Sequence, residues 1–499
     1  MIRLVMAESA HNARFPIQAS GVLDSPRHSA VVRVTHWIVT LGFFGLVVSG
    51  VAILLAHPRL YWGEDGAVGA PSLLDLPLPF VLVGQSGWGR SLHFVSAWVC
   101  VLSGVVYILS GLFTKHFLIN LLPAKATLAW RPLWRVVSNH LRLRPAAEGG
   151  RSYNIVQRLA YLSVVFLLFP LIVIAGLAMS PAVVSVAPVI VTVFGGQQSA
   201  RTVHFFAASL LVLFFLVHVL MVSISGFANR VRPMIAAGRA DREGAHASAM
   251  LPRRNLIATG LATAGGASGL AVAAYLVDRY GLIPPDHGGI YGAGETLTYA
   301  AQRVLMSGHS LAREFNRSQI SKAIPVNGPP PENMSYLIHR TSDFVNWRLA
   351  VDGLVARPSS FSLEDLKRFP SRSQITHQAC EEGWSFIAEW TGVPLSHVLN
   401  VAGVHPRARY VVFFPFDESW DSLDMSDAWH PQTLLAYGMN GQDLPAPHGA
   451  PLRLKVPRQL GYKNVKYLSR VIVTDTLKNI GKGLGSSSPE IGYSWYAGI

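Results

Sequence analysis

Long apolar runs at residues 31–56, 92–112, 159–179, 201–225 and 255–277 dominate the first half of the chain. At about 1.5 Å of rise per helical residue, each is long enough to cross a hydrocarbon layer of about 30 Å. From about residue 280 the pattern changes. Prolines at 284–285 and 329–331 break up short segments, and residues 347–352 alternate as a strand does before a turn at Gly353. Ser362, with Asp365 three residues on, predicts a helix start of the capping-box kind, Asp standing in for Glu. Residues 411–416 and 468–474 read as buried strands, 374–378 as strand-like and 437–447 as turn-rich. The pattern predicts an all-α transmembrane four-helix bundle, a fifth transmembrane helix, and then a mixed α+β domain.

The fourth run carries two histidines, His204 and His218. Fourteen residues at about 100° each fall only about 40° short of four turns, so both imidazoles leave one helix face, roughly 21 Å apart along the axis. An ionisable residue inside a membrane span points to function. From these two residues alone, metal ligation and hydrogen bonding to neighbouring helices both remain open.

Composition supports the membrane reading. Half of the 499 residues are hydrophobic and only 14% are charged, with a mean hydropathy of +0.33. The net charge of +14 is not a nucleic-acid signature, because the cations flank the apolar runs. Between the second and third runs lie Lys115, Lys125, Arg131, Arg135, Arg142, Arg144, Arg151 and Arg158 against Glu148 alone. Arg230, Arg232, Arg239, Arg242, Arg253 and Arg254 follow the fourth run, whereas residues 181–200 carry no charge. The positive-inside rule therefore places both ends of the four-span unit in the cytoplasm, with Tyr61, Trp62 and Trp88 in the outer aromatic belt. Of the two cysteines, Cys100 lies in a span and Cys380 far downstream, which excludes a disulfide framework. Residues 1–30 lack the apolar core and cleavage site of a signal peptide.

Orientation fixes depth. His36 falls on the inner side with His218, and His93 on the outer side with His204. The topology came from Lys and Arg, so two pairs matched in depth point to two metal centres. Paired neutral imidazoles suit two b-type haems built for electron transfer.

At RVTHW (33–37), HPRLYWGE (57–64), GRSLHF (89–94), YNIVQRLAY (153–161) and the histidine pair, the chain resembles the dihaem cytochrome b subunits of formate dehydrogenase, nickel–iron hydrogenase and thiosulfate reductase. That resemblance covers about residues 28–228. It implies electron exchange between the quinone pool and a partner on the outer face, with no residue marking the quinone site. The fifth run follows Arg253-Arg254 and resembles a twin-arginine export signal lacking the usual Phe and Lys. As an ordinary span it gives the same topology, with everything after it outside.

In the last domain, Cys380 stands in THQACEEGWSFIAEWTGVPL (376–395). Flanked by Glu381 and Glu382, it is poor as a packing residue, and two carboxylates disfavour a free thiolate nucleophile despite His377 nearby. A soft metal that holds the thiolate deprotonated answers better. This segment, with residues 436–471, resembles the sulfite oxidase-type molybdenum-cofactor domain, which includes the periplasmic methionine sulfoxide reductases. The resemblance implies Cys380 as the molybdenum ligand. It implies His448 and Arg453 (HG-x-P-x-R) and Lys463, Asn464, Val465 and Lys466 (K-x-V-K) as holders of the pterin and its phosphate. Upstream, it implies Asn316 as a cofactor contact and Arg317 as an anchor for an anionic substrate. The closing YSWYAGI (493–499) resembles a pocket-closing segment, so Tyr496 or Trp495 is expected to line the substrate funnel. Two departures stand out: the immunoglobulin-like dimerisation domain of sulfite oxidases is not expected after Ile499, and Pro415 replaces a Thr of the sulfoxide reductases.

The expected organisation is a cytoplasmic segment at 1–30, a dihaem cytochrome b at 31–228, a basic cytoplasmic linker at 229–254, a fifth transmembrane helix at 255–279, and a periplasmic molybdenum domain at 280–499. The expected activity is oxygen-atom transfer on a small oxide or sulfite-like substrate at the bacterial inner membrane. Its electrons exchange with the quinone pool, its surroundings are lipid, and nucleic acid is not a partner. Direction stays open. So does a transmembrane electron-transfer subunit whose outer domain only binds a partner.

Overall fold

A computed structural model of the chain describes residues 29–67, 69–77, 87–115, 117–118, 122, 134, 138, 155–224, 226–235, 281–285, 292–306 and 310–499. Four of its helices are long and apolar enough to cross a membrane: α1 Ala30–Ala56, α2 Gly87–Phe113, α3 Ile155–Ala178 and α4 Gln197–Ile224. They match the first four apolar runs. The fifth run, the segment before Ser29 and residues 236–254 of the linker lie outside the described residues.

The bundle is built inside out. Leu41, Val48, Leu109 and Leu213 are exposed on its flanks, while Ser49, Ser96, Ser103 and Thr202 are buried. Where lipid replaces water outside, small and polar residues make the helix contacts. α1 and α2 lie so close that a Cβ on Gly42 would come within 2.7 Å of the Cys100 sulfur. α3 widens into a π turn at Val164–Leu168 before resuming at Phe169–Ala178. Pro170 lies just beyond that turn; its missing N–H interrupts the ordinary ladder of bonds.

In the loop after α1, β1 (Arg59–Leu60) pairs with β2 (Leu74–Asp75). The C-terminal domain holds two five-stranded sheets over one core. The first runs β4 (Ser359–Ser362), β3 (Arg348–Gly353), β12 (Leu468–Thr474), β7 (Tyr410–Pro415) and β8 (Asp421–Asp424), with only β3 and β12 parallel. The second runs β10 (Gln442–Asp443), β9 (Leu434–Met439), β6 (Ser385–Pro394) and β5 (Arg372–Ala379), with β11 (Arg453–Lys455) also on β9. Trp347, just before β3, and Leu349, Val411, Phe413, Val471 and Val473 of the first sheet pack into the same core as Val393, Leu435 and Leu454 of the second. The capping box forms as predicted: Ser362 Oγ accepts from the Asp365 N–H while Asp365 accepts from the Ser362 N–H. Asn440 and Gly441, both at positive φ, close a two-residue hairpin between β9 and β10.

The domain sits on the end of the bundle where α1 and α3 finish and α2 and α4 begin. Ser180 Oγ donates to the Gly498 carbonyl at 2.6 Å, and Ser385 Oγ to the Glu64 carbonyl at 2.7 Å. A helix that the sequence pattern did not suggest, α5 (Gly292–Leu305), lies along α2. Trp98 Nε1 donates to Thr298 Oγ1 at 2.9 Å and Ser91 Oγ to Glu295 at 3.0 Å. Gly294 makes the approach possible, since a Cβ there would stand 2.7 Å from the Val95 nitrogen.

Candidate functional site

The four span histidines come together two by two. The rings of His93 and His204 lie 6.2 Å apart between centroids, and His36 and His218 are near enough for their charges to interact. Hydrogen bonds settle the tautomers of the outer pair. His204 Nδ1 is 2.9 Å from the Ile172 carbonyl, which only accepts, so Nδ1 carries the proton. His93 Nδ1 is 3.0 Å from Ser49 Oγ, whose own proton goes to the Gly45 carbonyl at 2.7 Å, so His93 Nδ1 also donates. Both Nε2 lone pairs are left free, the arrangement in which a second hydrogen bond orients a metal-binding imidazole. Two metal–imidazole bonds of about 2 Å each, plus the half-width of each ring, put centroids about 6 Å apart.

Haem also needs flat space beside the histidines. Gly50 follows His36 by fourteen residues on α1 and Gly104 follows His93 by eleven on α2, spacings that keep each near the face of its histidine. A Cβ on either glycine would meet nothing within 4 Å. α1 thus offers a histidine at the inner depth and a gap at the outer one, and α2 the reverse. His36 Nδ1 is buried without a partner. These residues fit haem at both depths.

At the other centre, β5 and β6 are joined by a tight turn at residues 380–384. The Cys380 N–H donates to the Trp384 carbonyl at 2.8 Å and the Gly383 N–H to the Cys380 carbonyl at 3.0 Å. Cys380 is buried. Burial, with the charges of Glu382 and Glu381 behind it, pushes its thiol well up, so as a thiolate it would need a bound metal. Among the described residues no three His, Cys, Asp or Glu side chains gather as a simple metal site.

Beside the turn lies a buried cationic strip. Arg453 and Lys455 are 3% and 0% exposed on β11 and sit over the Trp390 ring at 4.7 and 5.2 Å. Arg453 donates to the carbonyls of His448 (2.8 Å) and Asn464 (3.2 Å), and Lys455 Nζ to Gln378 Oε1 at 3.0 Å. Among the described residues no carboxylate pairs with either. Burial, then Arg453, holds the Lys455 ammonium well below the usual lysine range. Arg453 Nε, Trp390 Nε1, Gln374 Oε1 and Thr376 Oγ1 are buried without partners. Two buried like charges and four idle polar atoms fit an anionic, hydrogen-bonding group such as a pterin phosphate.

Lys455 was not singled out by the motifs. The signal was there: it follows Arg453 by two on a strand, hence on the same face. Lys455→Met is expected to lower pterin retained per haem by about tenfold, since a charge-assisted contact is lost. The melting temperature of the domain is expected to hold or rise, because a hydrophobe in place of a buried charge is neutral or stabilising. Pterin fluorescence released on denaturation and a thermal melt check the two signs.

The other motif residues are placed differently. Lys463 is buried against Asp421 and the Ser422 carbonyl, so its charge is already balanced. Asn464 Oδ1 accepts from the Val456 N–H at 2.8 Å, and Val465 belongs to the core. Lys466 Nζ donates to the carbonyls of Asn327 and Pro447 at 2.7 and 3.1 Å from a half-buried position. Burial, with Arg453 and Lys466 next, lowers His448 to about 4, so its ring is neutral. Asn316 caps a helical turn with Gln319. Arg317 is exposed and pairs with Glu389 at 3.1 Å. Glu389 stands opposite Ile375, five residues up the strand from Cys380, roughly 16 Å away along a strand. Tyr496 and Trp495 pack with Tyr299, and Trp495 Nε1 donates to Ser422 Oγ at 2.9 Å. Other residues of the closing segment reach the turn: Ser494 accepts from Arg90, Ala497 packs with Ala379, and Tyr493 feels its charges. Burial and then Glu381 and Glu382, with the Cys380 sulfur behind them, raise the Tyr493 phenol.

Comparison with known proteins divides the chain at the same place. Residues 27–237 match the family described as prokaryotic cytochrome b561, and residues 337–479 that described as oxidoreductase molybdopterin binding domain. A protein-methionine-sulfoxide reductase subunit of Azospira oryzae, YedZ1, is 36% identical over 194 residues, which are 39% of this chain and 70% of that protein. The catalytic subunit MsrP of Xanthomonas campestris pv. campestris is 37% identical over 141 residues, 25% of this chain and 44% of the relative; the chain thus spans less than half of that subunit. A solved structure, the sulfane dehydrogenase SoxCD from Paracoccus pantotrophus, is 31% identical, with a TM-score of 0.26 over 26% of this chain and 39% of that one.

Proposed function

This chain belongs to the prokaryotic cytochrome b561 family and carries a sulfite oxidase-type molybdopterin oxidoreductase domain in the same polypeptide, and on that footing we propose that it is a quinol-driven reductase of S-oxides of the methionine sulfoxide class. One observation carries the reading: the Cys380 turn is seated on the end of the bundle that holds His93 and His204. The overall reaction balances. The sulfoxide takes up two protons and two electrons, its sulfur–oxygen bond breaks, the oxygen leaves as water and the sulfide remains. A quinol oxidised to quinone gives up the same two protons and two electrons. When bound, the molybdenum cofactor supplies two-electron oxygen-atom transfer and the b haems one-electron carriage.

The chain's own residues supply the frame. Cys380 holds the metal; Arg453, Lys455 and the neutral His448 hold the pterin and phosphate end. Tyr493 flanks the substrate side. His93 with His204, and His36 with His218, hold the outer and inner haems. Arg317, exposed, paired with Glu389 and about five strand residues from Cys380, is not placed as an anchor for sulfite, which supports a neutral S-oxide.

Two arguments support placing the molybdenum domain outside the cytoplasm. The segments rich in Arg and Lys attach to the far end of the bundle from the molybdenum domain, which the positive-inside rule makes cytoplasmic. α4 also ends at that far end, and the reading takes a fifth span from the sequence of the residues between it and the molybdenum domain. Within them 255–279 is the apolar stretch of spanning length. On this reading the chain is a four-span dihaem unit, a basic linker, a fifth span and a periplasmic enzyme.

The test uses the purified full chain in detergent. Haem reduced by a quinol analogue is expected to reoxidise on adding methionine sulfoxide and to stay reduced on adding sulfite. Reduction of oxidised haem by sulfite would reverse the direction. No response to either, with molybdenum bound, would leave only an electron-transfer subunit.

A further inference from the structure

We propose that Arg90 and Arg201 are a pair of positioning residues that seat the Cys380 turn on the outer-haem end of the cytochrome, setting the gap that electrons cross. The proposal rests on the assignment of Cys380 to molybdenum and of His93 and His204 to the outer haem.

Each arginine precedes an outer histidine by three residues, Arg90 before His93 on α2 and Arg201 before His204 on α4. Both therefore lie one helical turn further out, near the face of their histidine. Both side chains reach the same short turn. Arg90 Nε is 3.4 Å from Glu381, the residue after Cys380, with both side chains under a tenth exposed; a second nitrogen of Arg90 donates to Ser494 Oγ. Arg201 donates from Nη1 to the Gly383 carbonyl at 2.9 Å and from Nη2 to the His57 carbonyl at 2.8 Å. Gln198, one turn out from Arg201, adds a bond to Ser385 Oγ at 2.8 Å.

The fit is close enough to exclude a side chain. Gly383 stands at φ +83, and a Cβ there would lie 2.9 Å from Arg201 Nη1 and 3.0 Å from the His57 ring. Among the described residues Arg201 has no carboxylate, so a buried guanidinium spends its donors on two carbonyls, one from each half of the molecule. Such a charge is costly unless fully bonded, and here its bonds join the two halves. The result is a short bridge from the His204 backbone through one turn of α4 to Arg201, Gly383 and Cys380. Electron transfer falls steeply with separation, so a turn held at two points keeps the rate high and uniform.

The test compares the full chain, loaded with haem and molybdenum, with its Arg201→Met, Arg201→Lys and Gly383→Ala variants. Hydrogen–deuterium exchange of the peptide covering residues 380–385 is expected to speed up about tenfold in Arg201→Met, the cost of one charge-assisted bond, with the β5 and β6 amides unchanged. In stopped flow, reoxidation of dithionite-reduced haem by methionine sulfoxide is expected to slow about tenfold, a common cost of a small misplacement. Sulfoxide reduction fed by reduced viologen is expected to stay within about twofold, and Arg201→Lys to recover part of the haem-linked rate. Gly383→Ala reaches the same seat from the other side and replaces Arg201→Met if that variant does not fold. Unchanged exchange overturns the proposal, as does an equal fall in the viologen-fed and haem-fed rates. If the parent chain shows no sulfoxide-dependent haem reoxidation, the reductase reading fails by itself, while exchange still decides whether the arginines hold the turn.

Discussion

Replacing Cys380 by serine is expected to cut sulfoxide reduction by more than the 10–100-fold that losing an outer-shell partner costs, so by over about a hundredfold. Haem absorbance and haem reduction by quinol are expected to stay as they were. A thiolate is a soft, strongly donating ligand, and the serine hydroxyl is neither acidic nor soft enough to replace it. The site has no understudy, because the second cysteine, Cys100, lies within α2. The span histidines lie on α1, α2 and α4, apart from this turn, which is why the two signals are expected to separate. Viologen-linked turnover, bound molybdenum and the haem spectrum of one preparation check all three. Full turnover with molybdenum retained would remove Cys380 from the chemistry. Cys100→Ser is the matching control and is expected to leave turnover unchanged.

What could be read in the sequence was whatever depends on near neighbours. Helical spacing put His204 and His218 on one face, and Lys and Arg in the loops sorted the histidines by depth; in the fold His93 and His204 stand ring by ring, and His36 is near enough to His218 for their charges to interact. The capping box at Ser362 and the strand at β12 are likewise local facts. What could not be read depends on residues remote in the chain. Lys463 has the look of a phosphate ligand until Asp421 on β8 is seen beside it. Arg317 resembles a substrate anchor until Glu389 takes it up. Arg90 meets Glu381 across 291 positions of sequence (381 − 90), and no motif in either segment announces the other. Lys455 shows the converse: a lysine in an apolar strand is conspicuous only once burial and the lack of an acid are known.

Replacing His204 by alanine is expected to remove one haem of two and to abolish quinol-driven sulfoxide reduction, while the viologen-linked rate at molybdenum is retained. Its Nδ1 bond to the Ile172 carbonyl leaves Nε2 free, with the His93 ring 6.2 Å away between centroids. His57 cannot take its place, because it lies past the end of α1 with its ring against Gly383. The outer pair and the inner pair should also respond differently to combined substitutions. Residues that act as one unit are not additive, so His93→Ala and His93→Ala with His204→Ala should each leave the same single haem as His204→Ala alone. Joining His93→Ala to His36→Ala strikes both centres and should leave none. Haem per chain from the pyridine haemochrome spectrum, set against protein by amino-acid analysis, reads this directly. A redox titration should show two steps in the parent chain and one in each outer-pair variant. If His93→Ala with His204→Ala emptied the bundle while His93→Ala with His36→Ala kept one haem, the pairing by depth would be wrong. The Cys380 turn would then sit beside something other than the outer end of an electron path.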